Sequence, residues 1–186
     1  MKKKGLALVL ALTLLVVGVV AGTLAWLTAK SNTVVNTFTT SDIKVELTET
    51  TGREYQMIPG YTISKNPKAT VLSGSEECYL FVKLDKSTDF DNYLTYEMAE
   101  GWTLVPGETN VYFRKVLTAD IGTDYSVLKG DQVTVNGSVT KEQMNAFTDA
   151  TLPKLTITAY ASQLHKNATT EFTAAEAWAN VNPTNP

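Results

Sequence analysis

The chain has 186 residues, a formal charge of −3, one cysteine and one histidine. A lone Cys78 excludes an intramolecular disulfide. A single histidine, His165, leaves the usual ligand sets of a zinc protease unfilled, and the mildly acidic balance offers nucleic acid no basic surface.

The chain opens with Lys2, Lys3 and Lys4, and no charged residue follows from Gly5 to Ala29. A positive start and an apolar run read as an export signal. Thr23 and Ala25 are small residues at the −3 and −1 places of a cleavage site after Ala25, which makes Trp26 the first mature residue. Cleavage removes only the three lysines as charges, taking the chain from −3 to −6, and leaves enough length for one domain with a core. The alternative is an uncleaved membrane anchor, because the run approaches the roughly 18 or more residues that span a bilayer.

Beyond the signal the pattern is mostly period two, the signature of strands with alternate side chains on opposite faces. Residues 26–38 form an N-terminal arm whose apolar members are Trp26, Leu27, Val34, Val35 and Phe38; Val34 and Phe38 share a face. Ile43, Val45 and Leu47 alternate with polar residues and predict a half-buried strand. Turn signals follow at Thr51-Gly52 and at Pro59-Gly60, the latter suited to the centre of a type II turn. Pro67 lacks an N–H, so a strand through it is an edge strand or starts there.

Cys78 to Leu84 reads as the best central strand, with Cys78, Leu80, Val82 and Leu84 on one face and Tyr79, Phe81 and Lys83 on the other. Its cysteine is expected to act as a small buried hydrophobe. Further strands are predicted over Tyr93 to Met98, Val111 to Leu117 and Gln132 to Val135, the last ended by the Asn136-Gly137 turn. Thr140 with Gln143, and Thr173 with Glu176, have capping-box spacing and predict two short helices. Between them Leu155, Ile157, Ala159 and Ala161 alternate with polar residues in a core strand; the two alanines suggest a bulky cover such as Trp178.

About seven short strands, few helices and no βαβ rhythm predict an all-β antiparallel sandwich of two sheets over residues 39–181, preceded by the signal helix (1–25) and arm (26–38). Residues 182–186 are expected to be a disordered tail.

GTLAWLTAKS, VVNTFTTSDIKVEL, the Pro59-Gly60 turn in MIPGYTISKNPKATV, the strand YLFVKL, and ITAYASQ with EFTAAEAW together resemble the TasA/camelysin family of secreted proteins of Gram-positive bacteria. The resemblance runs in order along nearly the whole chain, and its first 48 residues are the distinctive part. It implies processing by an ER-type signal peptidase, a jelly-roll-like sandwich, and assembly with copies of itself into fibres of a biofilm matrix, with other matrix or cell-wall components as further partners. In such fibres an N-terminal segment adds as a strand to the next subunit, and Trp26 to Phe38 are the matching positions. The chain is shorter than the best-known fibre protein of that family, so some of its loops or strands must be absent.

A chemical site is harder to find. Some members of the family are described as metalloproteases, but there is no HExxH here, and any Ser-His-Asp or Cys-His set would need His165, which sits in polar SQLHKNATTE. Asp89, Asp91 and Glu100 fall at positions one, three and twelve of a calcium hand, yet position six is Leu94 where glycine is needed. No metal ligand, catalytic residue or cofactor is therefore assigned. Trp102, Tyr93, Tyr96 and Tyr112 define a second reading, a cell-surface module that binds glycans on an aromatic platform. Asn136 and Asn167 begin sequons, read here as turns.

Overall fold

The computed structural model describes residues 42–52, 55–148 and 150–182, all within one compact unit. The expected signal, its Ala25–Trp26 junction, the arm and the last four residues of the expected tail lie outside the described residues.

The fold is built mainly of antiparallel β-strands. In chain order they are β1 (Val45–Thr48), β2 (Thr62–Ser64), β3 (Lys68–Val71), β4 (Cys78–Lys86), β5 (Leu94–Thr95), β6 (Thr103–Leu104), β7 (Val111–Val116), β8 (Asp124–Ser126), β9 (Gln132–Val135), β10 (Leu155–Gln163), β11 (His165–Asn167) and β12 (Thr170–Glu171). Among the described residues three short α-helices accompany them, α1 (Phe90–Tyr93), α2 (Lys141–Asn145) and α3 (Ala174–Ala179), with two 3-10 turns at Thr118–Asp120 and Lys129–Asp131. One sheet runs β10-β4-β7-β6, two three-stranded sheets run β1-β3-β8 and β2-β9-β5, and β11 pairs with β12.

Strand β4 is the centre, as its composition predicts. Cys78, Leu80, Val82 and Leu84 point into a large apolar cluster that also draws Ala69 and Val71 from β3, Val116 from β7, and Val133 and Val135 from β9. Tyr79 and Phe81 point the other way, into a second cluster with Val111, Leu164, Ala177 and Trp178. A strand covered on both faces can be apolar throughout, which is why CYLFV does not alternate with polar residues. Burial of such side chains stabilises by about 1.5–3 kcal/mol each.

Local chemistry sets the boundaries. Pro67 precedes β3 and its carbonyl accepts from the Val127 N–H at 2.9 Å, so the missing donor lies outside the ladder. Gly60 has φ of 76° and the Tyr61 N–H reaches the Ile58 carbonyl at 3.0 Å, the geometry of a type II turn centred on Pro59-Gly60. Both capping boxes form: Thr140 and Gln143 cap α2 reciprocally, as Thr173 and Glu176 cap α3.

Three expectations change in detail. The strand expected over Tyr93 to Met98 shrinks to β5 and a single bridge from Met98 to Leu128, because Phe90 turns inward and starts helix α1. The turn after β9 is centred on Gly137-Ser138, with the Val139 N–H on the Asn136 carbonyl at 3.2 Å; the Asn136 N–H is held by Tyr93, which carries the pairing one residue further. Trp178 does not cover Ala159 and Ala161. Those alanines border the first cluster, and Trp178 lies on the opposite face, 5.2 Å from Tyr160 and 5.4 Å from Phe81 between ring centres.

Candidate assembly edge

Strand β10 is nine residues long, ends its sheet and pairs only with β4 among the described residues, in register from Leu155 opposite Lys86 to Gln163 opposite Cys78. A strand with one partner leaves alternate N–H and C=O groups on its other side without ladder bonds, and these can accept an extended peptide. The opposite end of the same sheet is β6, only two residues long. That makes β10 the longer edge of its sheet, with β1 lying close to it.

A cavity lies at each end of β10. Beside Leu155 and Thr156 is a groove of about 680 Å³ whose walls include Met57, Ile63, Phe90 and Val133, with Leu152 at 41 % exposure among its lining residues. Beside Ala161, Ser162 and Gln163 is one of about 550 Å³ with Ile43, Phe172 and Val181 in its walls. The first groove is braced by a half-buried ion pair of Lys65 Nζ with Glu49 at 2.9 Å, and the Tyr55 hydroxyl donates to the same carboxylate at 2.8 Å. Burial and then the Glu49 carboxylate push the Tyr55 hydroxyl above its usual range, against the Thr51 hydrogen bond.

The aromatic residues of the glycan reading are placed separately. Trp102 is buried and donates its indole N–H to the Ser126 carbonyl at 2.8 Å. Tyr93 packs edge-on to Phe147 at 4.8 Å, Tyr96 edge-on to Phe90 at 6.0 Å, and Tyr112 against the first cluster, all half-buried. Burial raises the Tyr96 hydroxyl to about 12.

His165 opens β11, exposed, with Nε2 at 3.4 Å from Glu77. Hydrogen bonds from the Thr118 N–H and hydroxyl, and then from His165, hold the Glu77 carboxyl below its usual range. Cys78 is fully buried, and burial raises its thiol to about 11. Asp91 is paired with Lys86 at 2.9 Å, and Leu94 is buried at the start of β5. Among the described residues no group of three or more His, Cys, Asp or Glu is arranged to hold a metal. The sequon Asn136 donates its side-chain amide to the Asn92 carbonyl at 2.9 Å, while Asn167 accepts from the Thr169 N–H at 3.0 Å in a side-chain turn.

Arg114 is the residue that sequence reasoning passed over. Its guanidinium carbon lies 3.6 Å from the centre of the Tyr125 ring and 5.4 Å from that of Trp102. The signal was present: in VYFRKV, Arg114 shares a face with Tyr112 and Val116, a cation on the inward side of a strand. Comparisons with protein-family models, with curated proteins and with solved structures find no match.

Proposed function

We propose that this chain is a secreted structural protein of the TasA/camelysin type, which assembles into extracellular fibres when the N-terminal arm of one copy adds as a strand to the next. The observation that carries the reading is the nine-residue edge of β10 with an apolar groove at its end. Backbone bonds along the edge supply affinity, and the groove receives apolar side chains of the arm, of which Val34, Val35 and Phe38 are the candidates. A contact from one copy's arm to another copy's edge is head-to-tail and does not close on itself, so it propagates as a filament.

The finer architecture belongs to the same proposal. The sheet β10-β4-β7-β6 faces the two three-stranded sheets across the first cluster, as in a two-layer, jelly-roll-like sandwich, and that arrangement is supported by residues of β3, β4 and β9 meeting in one apolar core. Export and cleavage after Ala25 free the arm, and an ER-type signal peptidase is the processing partner. Electron microscopy of the exported protein, concentrated at neutral pH and seeded, tests assembly. Fibres are expected. Protein that stays monomeric under every condition, with Trp26 confirmed as its first residue, removes the reading.

A further inference from the structure

We propose that Arg114, walled by Tyr125 and Trp102 and floored by Gly101, is a binding site for a carboxylate group. The inference is independent of strand addition. It begins from an unmade bond. Seven lysines and His165 each have a carboxylate within ion-pair distance among the described residues, whereas Arg114, like Lys68 and Lys141, has none. The Arg114 Nε is buried without an acceptor, and no hydrogen bond within the described chain uses Nη1 or Nη2, which are not buried. Buried donors are nearly always paired, so a guanidinium left this way calls for an acceptor.

The surroundings are built around it. The ring centres of Tyr125 at 3.6 Å and Trp102 at 5.4 Å flank the guanidinium carbon, and the indole is itself fixed by its bond to Ser126. Gly101 packs against the guanidinium: a Cβ there would come within 2.8 Å of Nη2, and φ of 87° favours glycine independently. A planar, singly charged carboxylate accepting side-on from Nε and Nη2 supplies the acceptor that the buried Nε lacks and matches one planar cation beside aromatic rings. Burial lowers the Arg114 guanidinium from its usual range; Tyr125 and then Asp120 act against this, and Asp120 makes no ion pair with it. Its negative charge competes with an incoming anion.

The carboxylate can come from a free acid or from an Asp or Glu side chain of a second copy, and one experiment separates the two. The chain has two arginines, Arg53 and Arg114, so arginine-selective nitrogen NMR of the full chain in detergent shows two side-chain signals, assigned with Arg53→Lys. Sodium acetate and sodium glucuronate are titrated at constant ionic strength against sodium chloride, and the protein is diluted in a parallel series. The expected result is a saturable shift of the Arg114 signal alone; in Arg114→Lys, which keeps the charge and loses the planar pair of donors, acetate binding followed at the Gly101 backbone amide weakens about tenfold. A shift that develops with protein concentration and is reversed by acetate assigns the carboxylate to a second copy; a shift with the acids only assigns it to a free ligand. Asp120→Asn leaves Arg114 in place and should tighten acetate binding. The proposal is overturned if chloride acts as acetate does, if no series moves the signal, or if Asp120→Asn itself releases Arg114, which would make Asp120 the acceptor.

Discussion

The indole N–H of Trp178 donates to a Glu108 carboxylate oxygen at 2.8 Å, fastening helix α3 to the turn between β6 and β7. Trp178 is 3 % exposed and covers Phe81 and Tyr160, so it closes the second face of the main sheet. Trp178→Ala should cost about 3–5 kcal/mol, a large share of a typical 5–15 kcal/mol stability. Glu108→Ala strands the buried indole donor and should cost about 1–3 kcal/mol. Trp178→Phe keeps a ring and drops the donor. Combined with Glu108→Ala it should therefore cost less than the two single changes added together. Urea unfolding of the four proteins checks this, and simple additivity would show that the bond contributes nothing.

The Cys78 thiol gives a pH prediction with a definite sign. Burial raises it from 9.0 to about 11, so between those values the folded state holds a proton that the unfolded state has lost. Its contribution is fully present below pH 9 and disappears as pH rises towards 11, a loss of roughly 2–3 kcal/mol. Cys78→Ala should remove that part of the alkaline slope. The same burial makes labelling by a thiol reagent follow unfolding, and labelling at native rates independent of urea would contradict it.

How much of this was readable in advance depended on the range of the interactions. The two capping boxes needed only residues three apart, Thr140 with Gln143 and Thr173 with Glu176, and both form as the spacing predicts. β4 and β10 were readable from composition and alternation. The two-residue strands β5 and β6 were not: β5 exists through a partner far along the chain, Thr95 opposite Thr134, and β6, though it pairs across one turn with Leu104 opposite Tyr112, is too short for alternation to show. Alternation also placed Ala159 and Trp178 correctly in their own elements without telling which face of β10 each would occupy. The groove beside β10 joins Met57, Phe90, Val133 and Leu155, residues that no local window contains together. Arg114 was visible as an inward-facing cation, but its walls, Trp102 and Tyr125, come from separate strands and loops.

The capping carboxylate of α3 predicts acid sensitivity at the second face. The Lys166 ammonium, then the Thr173 N–H and hydroxyl, hold the Glu176 carboxyl at about 2 rather than 4.5. A depressed carboxyl stabilises above its unfolded value and loses that contribution as pH falls from 4.5 towards 2. Protection of the amides in Ala174–Ala179, taken relative to their intrinsic exchange rates, should therefore fall across that window before that of the core strands. Glu176→Gln can still cap, yet loses the charge, and should bring the lower protection to neutral pH. Protection unchanged by both acid and substitution would separate the helix from its cap.

The last prediction concerns the β10 edge. If the arm of a neighbouring copy lies along it, a charge in the mouth of the adjoining groove should block assembly without unfolding the acceptor. Leu152 suits the test, since it lines the groove, is 41 % exposed and lies outside every strand. Leu152→Lys keeps most of its stem in place and puts an ammonium where apolar side chains are expected to enter. Its cost to stability should be small, within about 1 kcal/mol for a partly exposed site, whereas fibre formation should fall sharply because a buried unpaired charge is penalised far more heavily. The donor side is tested by starting the chain at Asn36 instead of Trp26. The short form should stay folded and monomeric, still accept arms from the longer form, and cap its fibres at one end. Mixing the two at rising ratios should therefore shorten fibres seen by electron microscopy. Equal polymerisation of the two forms would place the growth contact elsewhere, and unfolding of the short form would show that the arm belongs to its own domain.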